Sequence, residues 1–193
     1  MERASFADFT CSLARTLEEV GEWWTLLILR DLFVGMTQFD EIQRNLGIST
    51  NVLTARLKRL ATLNIVVRTV SDKDARSFRY NLTPKGKALY PVLLSLLAWG
   101  DQWLVKLEGQ PLLIVHRHCG HATHAIPHCS VCGEAMALDD VELRAGPGAK
   151  AGPGTARMGD YIKTAMDEAA ARSLASSATL NGLQSNRDEA NER

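Results

Sequence analysis

Thr37-Gln38-Phe39-Asp40-Glu41-Ile42-Gln43-Arg44-Asn45-Leu46-Gly47-Ile48-Ser49-Thr50-Asn51-Val52-Leu53-Thr54-Ala55-Arg56-Leu57-Lys58-Arg59-Leu60 is the stretch that decides the fold. Phe39, Ile42 and Leu46 recur at helical spacing, Thr37 stands where an N-cap belongs, and Gly47 supplies a left-handed stop. Ile48 leads to Ser49, a second N-cap, after which Leu53, Leu57 and Leu60 form the inward stripe of a second helix. Thr50, Asn51, Thr54 and Lys58 point the other way. Two short helices joined by a tight glycine turn, with polar and basic groups on the outer face of the second, make a helix-turn-helix pattern. A plain helical hairpin has the same periodicity, so the residues that follow must separate the two. Residues 65–70 (IVVRTV) and 77–82 (SFRYNL) are rich in strand formers, and the polar stretch 71–76 joins them, which predicts a β-hairpin. A hairpin placed directly after the second helix, carrying Lys73, Arg76 and Arg79, predicts a winged helix. The expected fold is therefore mainly α with a small β-hairpin wing. Its second helix would enter the major groove of DNA, and its wing would touch phosphate or the minor groove.

Working outward, Phe6, Phe9, Leu13, Leu17 and Val20 recur every three or four residues and predict one amphipathic helix ending near Gly21. Residues 23–33 are apolar almost all round, interrupted by Thr25, Arg30 and Asp31, as a central buried helix would be. Downstream, Thr83 as N-cap and Pro84 at the first position restart a helix. Its stripe of Leu89, Leu93, Leu96, Leu97, Trp103, Leu104 and Leu107, widened by Tyr90, Leu94 and Ala98, exceeds what a small winged helix can cover. The surplus, with the first helix, is read as a homodimer interface; the alternative cover is the segment that follows, folded back over it.

Lys+Arg and Asp+Glu both number 22 in the 193 residues, so the net charge is zero. The distribution is uneven: residues 44–87 carry +8, against −5 over residues 1–43 and −3 over residues 88–193. A basic block of that density is the footprint of a polyanion partner such as double-stranded DNA. The longest mostly apolar run, residues 89–100, is shorter than the ~20 residues a spanning helix needs, so no membrane partner is expected. The N-terminus lacks a basic stretch followed by an apolar one, which leads to the expectation of a cytoplasmic protein.

All five histidines and three of the four cysteines fall within residues 116–132, where fewer than one of those nine would fall by chance. His116-Arg117-His118-Cys119-Gly120 and Cys129-Ser130-Val131-Cys132-Gly133 repeat the pattern [His/Cys]-x-x-Cys-Gly, with nine residues between the inner pair. Two such knuckles make a tetrahedral site, and the expected cofactor is structural zinc held by His116, Cys119, Cys129 and Cys132. His118 or His121 could replace His116, and a redox pair at Cys129 and Cys132 is the alternative chemistry. There is neither an H-E-x-x-H pattern nor a glycine-rich phosphate loop, so an enzyme is not expected. Residues 144–154 are dense in glycine and proline and read as a linker, residues 161–174 could form a short helix, and the polar end from 176 is expected to be disordered. The expected organisation is thus a winged-helix and dimerisation domain over 1–110, a zinc-ribbon-like segment over 111–143, and a linker and tail over 144–193.

From Cys11 to Leu89 the chain resembles the HxlR-type transcriptional regulators of the MarR-like superfamily. The residues that carry the likeness are Cys11-Ser12-Leu13-Ala14, Gly21-Glu22-Trp23-Trp24-Thr25-Leu26-Leu27-Ile28-Leu29-Arg30, Phe39-Asp40-Glu41-Ile42, Ile48 to Leu57, and Tyr80-Asn81-Leu82-Thr83-Pro84-Lys85-Gly86. The family often has Pro where Ser12 stands and Arg where Gln38 stands. The resemblance implies a homodimer that binds an inverted repeat and usually represses. Base readout would fall to Thr50, Asn51, Thr54 and Lys58 near the N-cap Ser49, with Asn51 suited to a bidentate contact with adenine. Arg56 and Arg59 fit equally a phosphate clamp and an intramolecular ion pair. Some members of the family sense oxidants or electrophiles through the cysteine matching Cys11, which here lies at the start of the first helix. A small-ligand pocket between the dimer helices and the Trp23/Trp24 helix is the competing input, and a zinc-stapled interaction module with secondary DNA binding is the competing function.

Overall fold

The computed structural model describes residues 5–70, 77–107, 109–161 and 163–164. The chain divides into two compact units, one of Glu19–Met136 and one of Met1–Glu18 with Ala137–Arg193. The larger unit holds the winged helix. Helix α2 (Trp23–Phe33) runs through its centre, followed by α3 (Phe39–Leu46), α4 (Thr50–Thr62), the strands β1 (Val66–Val70) and β2 (Phe78–Leu82), α5 (Pro84–Lys87) and α6 (Tyr90–Trp103). Two short strands, β3 (Ile114–Val115) and β4 (Ala122–Thr123), form a second antiparallel pair. Helix α1 (Ser12–Val20) leads into this unit.

The core is one cluster in which Ile28, Leu29 and Leu32 of α2 meet Ile42 of α3, Leu53, Leu57 and Leu60 of α4, and Ile65 and Val66 at the start of the hairpin. Each helix contributes the residues its periodicity assigns inward, and their removal from water is the main term holding the unit together. Asp31 is buried in this cluster at 1% exposure, with Oδ1 accepting from Arg30 Nη2 at 2.7 Å and Oδ2 accepting from Asn45 Nδ2 at 2.8 Å. That second bond ties α2 to α3.

Four expectations are corrected. Helix α1 starts at Ser12, not at Phe6. Phe6 and Phe9 instead form a turn closed by Phe9 N–H to the Phe6 carbonyl, their rings edge-on at 5.1 Å. The physical reason is a contact distant in sequence: the Thr10 hydroxyl bonds the Lys150 carbonyl and the Thr155 hydroxyl, and the Phe9 ring lies against Gly154. The glycine- and proline-rich stretch is thus packed on residues 9–10 in the smaller unit, so it is more than a spacer. Second, the N-cap of α3 is Gln38, in a capping box with Glu41, rather than Thr37. Thr37 and Gln38 lie beside β2, with Tyr80 N–H donating to the Thr37 carbonyl at 2.8 Å and Gln38 joined to Arg79 by an isolated antiparallel bridge. Third, the helix restarted at Pro84 does not run on. Pro91 lacks the N–H that would bond the Lys87 carbonyl and its ring crowds that position, so α5 ends and α6 begins at Tyr90. Leu104 and Leu107, expected on its stripe, lie beyond its end. Fourth, α2 is buried on one side only, since Trp23 is 87% exposed.

Residues 158–161 and 163–164 are helical, within or beside the helix expected at 161–174; the rest of that helix and the tail from 176 lie outside the described residues. Among the described residues, no helix is long and apolar enough to cross a membrane.

Candidate nucleic-acid interface

Helix α4 is positioned from both ends. Ser49 caps its start, its hydroxyl accepting from Val52 N–H at 3.3 Å, and Gly47 ends α3 at φ 63° so that the chain can turn. Gln43 pins the turn between the helices, its Nε2 donating to the Ile48 carbonyl at 3.3 Å and to the Thr50 hydroxyl at 3.0 Å. Sequence reasoning did not single out Gln43, because a glutamine at that position looks like any other surface residue. With Leu53, Leu57 and Leu60 facing the core, Thr50, Asn51, Thr54, Lys58 and Arg59 all face solvent. The outward face is therefore a short polar and basic ridge of the dimensions that the major groove admits.

Arg56 behaves differently. Its Nη2 lies 3.1 Å from Glu22 Oε2, just before α2, and both side chains are only about a quarter exposed (27% and 29%). Of the two roles the sequence left open, the ion pair is the one the geometry provides. Lys85 is tied down similarly, to Glu19 Oε2 at 3.0 Å and the Leu63 carbonyl at 3.1 Å. Part of the basic block is thus engaged in ion pairs with Glu19 and Glu22 inside the larger unit.

The wing is an antiparallel pair with Val66 opposite Leu82, Arg68 opposite Tyr80 and Val70 opposite Phe78. Arg68 sits over the Phe78 ring at 3.4 Å, and Arg79 donates to the Thr37 hydroxyl at 3.2 Å. Lys73 and Arg76 lie outside the described residues. The base of the wing is locked by Thr83, whose hydroxyl donates to the Asn64 carbonyl at 2.6 Å and accepts from Gly86 N–H at 3.1 Å. A cavity of about 490 Å³ opens between Leu32 and Phe33 of α2, Tyr80 and Leu82 of β2, and Tyr90 of α6. It lies between α2, the Trp23/Trp24 helix, and the start of α6, at the end of α2 away from the two tryptophans.

Cys11 is half-buried at the N-cap of α1, its carbonyl accepting from Arg15 N–H at 3.0 Å. His116 Nδ1 and Cys119 Sγ are 3.4 Å apart, and the Cys129 and Cys132 thiols are in hydrogen-bond contact. Among the described residues, no three or more His, Cys, Asp or Glu side chains converge on one point, so these are two separate pairs.

A recognition helix fixed by a pinned turn and followed by a wing defines a winged helix-turn-helix DNA-binding protein. The HxlR-like helix-turn-helix family matches residues 19–108. An HTH-type transcriptional regulator of Mycobacterium tuberculosis, MT3179, is 41% identical over 142 residues, covering 72% of this chain and 89% of its own. The solved structure of PA1607, assigned as a transcription factor, superposes with a TM-score of 0.67 at 30% identity over 74% of this chain and all of its own. PA1374 of Pseudomonas aeruginosa, assigned likewise, gives 0.51 at 34% identity over 72% of this chain and 95% of its own. This chain belongs to the HxlR-like helix-turn-helix transcriptional regulators. A contiguous alignment covering 72% of 193 residues must include about residues 55–139 wherever it begins, so the likeness to the mycobacterial regulator extends through the Cys/His segment.

Proposed function

We propose that the protein is a homodimeric repressor that occupies an inverted-repeat operator, with α4 of each protomer in the major groove and each wing on the backbone. The observation that carries it is the outward face of α4: Thr50, Asn51, Thr54 and Lys58 stand exposed on a helix whose opposite face is fully buried. Dimerisation is supported by α6, an apolar helix (YPVLLSLLAWGDQW) with no buried residue. Val92, Leu96, Trp99 and Trp103 follow one another at four-, three- and four-residue steps along one exposed face. Apolar surface so arranged favours a partner, and a second copy supplies the two-fold symmetry that an inverted repeat requires. A small ligand in the 490 Å³ cavity would touch α2, the wing and the start of α6 together, which makes it the favoured route for an effector. Oxidation or alkylation of Cys11 is the other route, and oxidant-induced release that persists in Cys11→Ser would exclude it.

The test is fluorescence anisotropy on the upstream DNA of the protein's own gene and on a scrambled duplex of equal length, at physiological salt. Nanomolar binding, with the scrambled duplex weaker by ~10³ or more, is expected. Asn51→Ala should cost about 1–3 kcal/mol on the operator and leave the scrambled duplex unchanged. Equal weak binding to both duplexes would refute the reading and leave a zinc-stapled interaction module in its place.

A further inference from the structure

The Cys/His segment plays no part in the readout described above, yet its backbone is built twice over to one plan. In the first half, Gly120 N–H donates to the His116 carbonyl at 2.8 Å and His116 N–H donates to the His121 carbonyl at 3.0 Å. In the second half, Gly133 N–H donates to the Cys129 carbonyl at 2.9 Å and Cys129 N–H donates to the Glu134 carbonyl at 2.8 Å. Position for position the two bonds are the same, from residue i+4 back to i and from i forward to i+5. Both glycines are left-handed, at φ 72° and 78°, a conformation that side chains rarely adopt. The two turns therefore present the first and fourth residues of each on one side, His116 with Cys119 and Cys129 with Cys132.

Nothing apolar explains these turns. From 116 to 136 every residue is exposed except the half-buried Ala125 and Cys129, and Val131 is 93% exposed. A segment this poor in core needs a staple of another kind. Ligands at zinc distances of about 2.3 Å (sulfur) and 2.0–2.1 Å (nitrogen) in a tetrahedron stand about 3.6 Å from each other. The His116 Nδ1 to Cys119 Sγ separation of 3.4 Å fits that spacing. His128 Nδ1 donates to the Gly133 carbonyl at 2.8 Å and so braces the second turn.

We propose that the two turns are the halves of one structural zinc site, which a single Zn2+ closes through His116, Cys119, Cys129 and Cys132 of the same chain. The two pairs stand apart among the described residues, and the nine residues between Cys119 and Cys129 supply the slack that brings them to one ion. Four protein ligands leave no open position, so the ion folds the segment and does no chemistry. Binding releases the thiol protons of three cysteines, which become thiolate ligands.

The test is metal content of the full-length protein purified under reducing conditions, followed by cobalt(II) exchange. About one zinc per chain is expected, with the cobalt form showing thiolate charge-transfer bands and the strong visible absorption of tetrahedral coordination. Cys119→Ser, Cys129→Ser and Cys132→Ser should each bring zinc below about a tenth of an equivalent, and His116→Ala should weaken retention against a chelator by at least ~10-fold. Cys132→His should restore stoichiometric metal with weaker charge-transfer bands. His118→Ala and His121→Ala should change nothing. Thermal unfolding of the winged helix serves as the folding control, because its core lies in other residues. Metal-free protein, metal content indifferent to Cys129→Ser, a metal-independent Cys129–Cys132 disulfide, or half a zinc per chain shared between copies would each overturn the proposal.

Discussion

Arg56 is the sharpest place to separate structure from DNA contact. Its guanidinium is 3.1 Å from the Glu22 carboxylate, and each side chain is about one-quarter exposed. Fully exposed pairs contribute 0–1 kcal/mol, and breaking a buried one costs about 3–5 kcal/mol, so Arg56→Gln should cost about 1–2 kcal/mol. For a domain of this size that is a fall in Tm of about 5–15 °C, read by thermal circular dichroism. Glu22→Gln should destabilise similarly, and the double variant should lose about 1 kcal/mol less than the sum of the two. Lys58, exposed on α4, provides the contrast. Lys58→Gln should leave Tm unchanged but lower the slope of log K against log salt by about 0.9 per half-site, about 1.8 for the dimer. Arg56→Gln should leave that slope alone. A variant in which Arg56→Gln lowers the slope by about 1.8 with Tm unmoved would refute the ion-pair reasoning and return Arg56 to the phosphate backbone.

Further outcomes follow from the packing. Gly86→Ala would drive a Cβ into the Ile65 carbonyl and against Leu82 Cδ2, and the carbonyl, being backbone, cannot step aside. The expected loss is about 2–4 kcal/mol by denaturant melt, since the Thr83 bonds to that carbonyl weaken as well. Asn45→Ala leaves one oxygen of the buried Asp31 without its donor and should cost about 1–3 kcal/mol, with DNA specificity kept in whatever protein remains folded. Trp99→Glu, in the middle of the exposed α6 face, should shift the protein to monomer in sedimentation and weaken operator binding by at least ~10², with the Tm of the monomer unit changed little.

Much of the fold was legible because it rests on local chemistry. The Ser49 cap, the Gly47 stop, the Leu53/Leu57/Leu60 stripe and the Thr83-Pro84 start all appear at their expected residues, since each is a short-range preference that the core reinforces. Two of the expectations that failed concern residues whose partners are distant in sequence. Thr37 looks like a cap until β2 arrives, 42 residues later, to claim it as a strand neighbour. Phe6 and Phe9 keep helical spacing, but Gly154 and Thr155 draw that segment out of the helix.

The sequence alone therefore determined the class of the molecule: periodicity, capping residues and the position of a hairpin after a basic helix suffice for a winged helix-turn-helix, whereas the repeated knuckle pattern sets out candidate ligands and leaves the histidine open among His116, His118 and His121. Tertiary structure decided how individual charges are used. Composition counts Arg56, Lys85 and Lys58 alike, but a guanidinium or ammonium within bonding distance of Glu22 or Glu19 is spent inside the protein, and one on the outer face of α4 is not. That distinction depends on which helices meet in space, and only the folded chain brings residues 22 and 56 together.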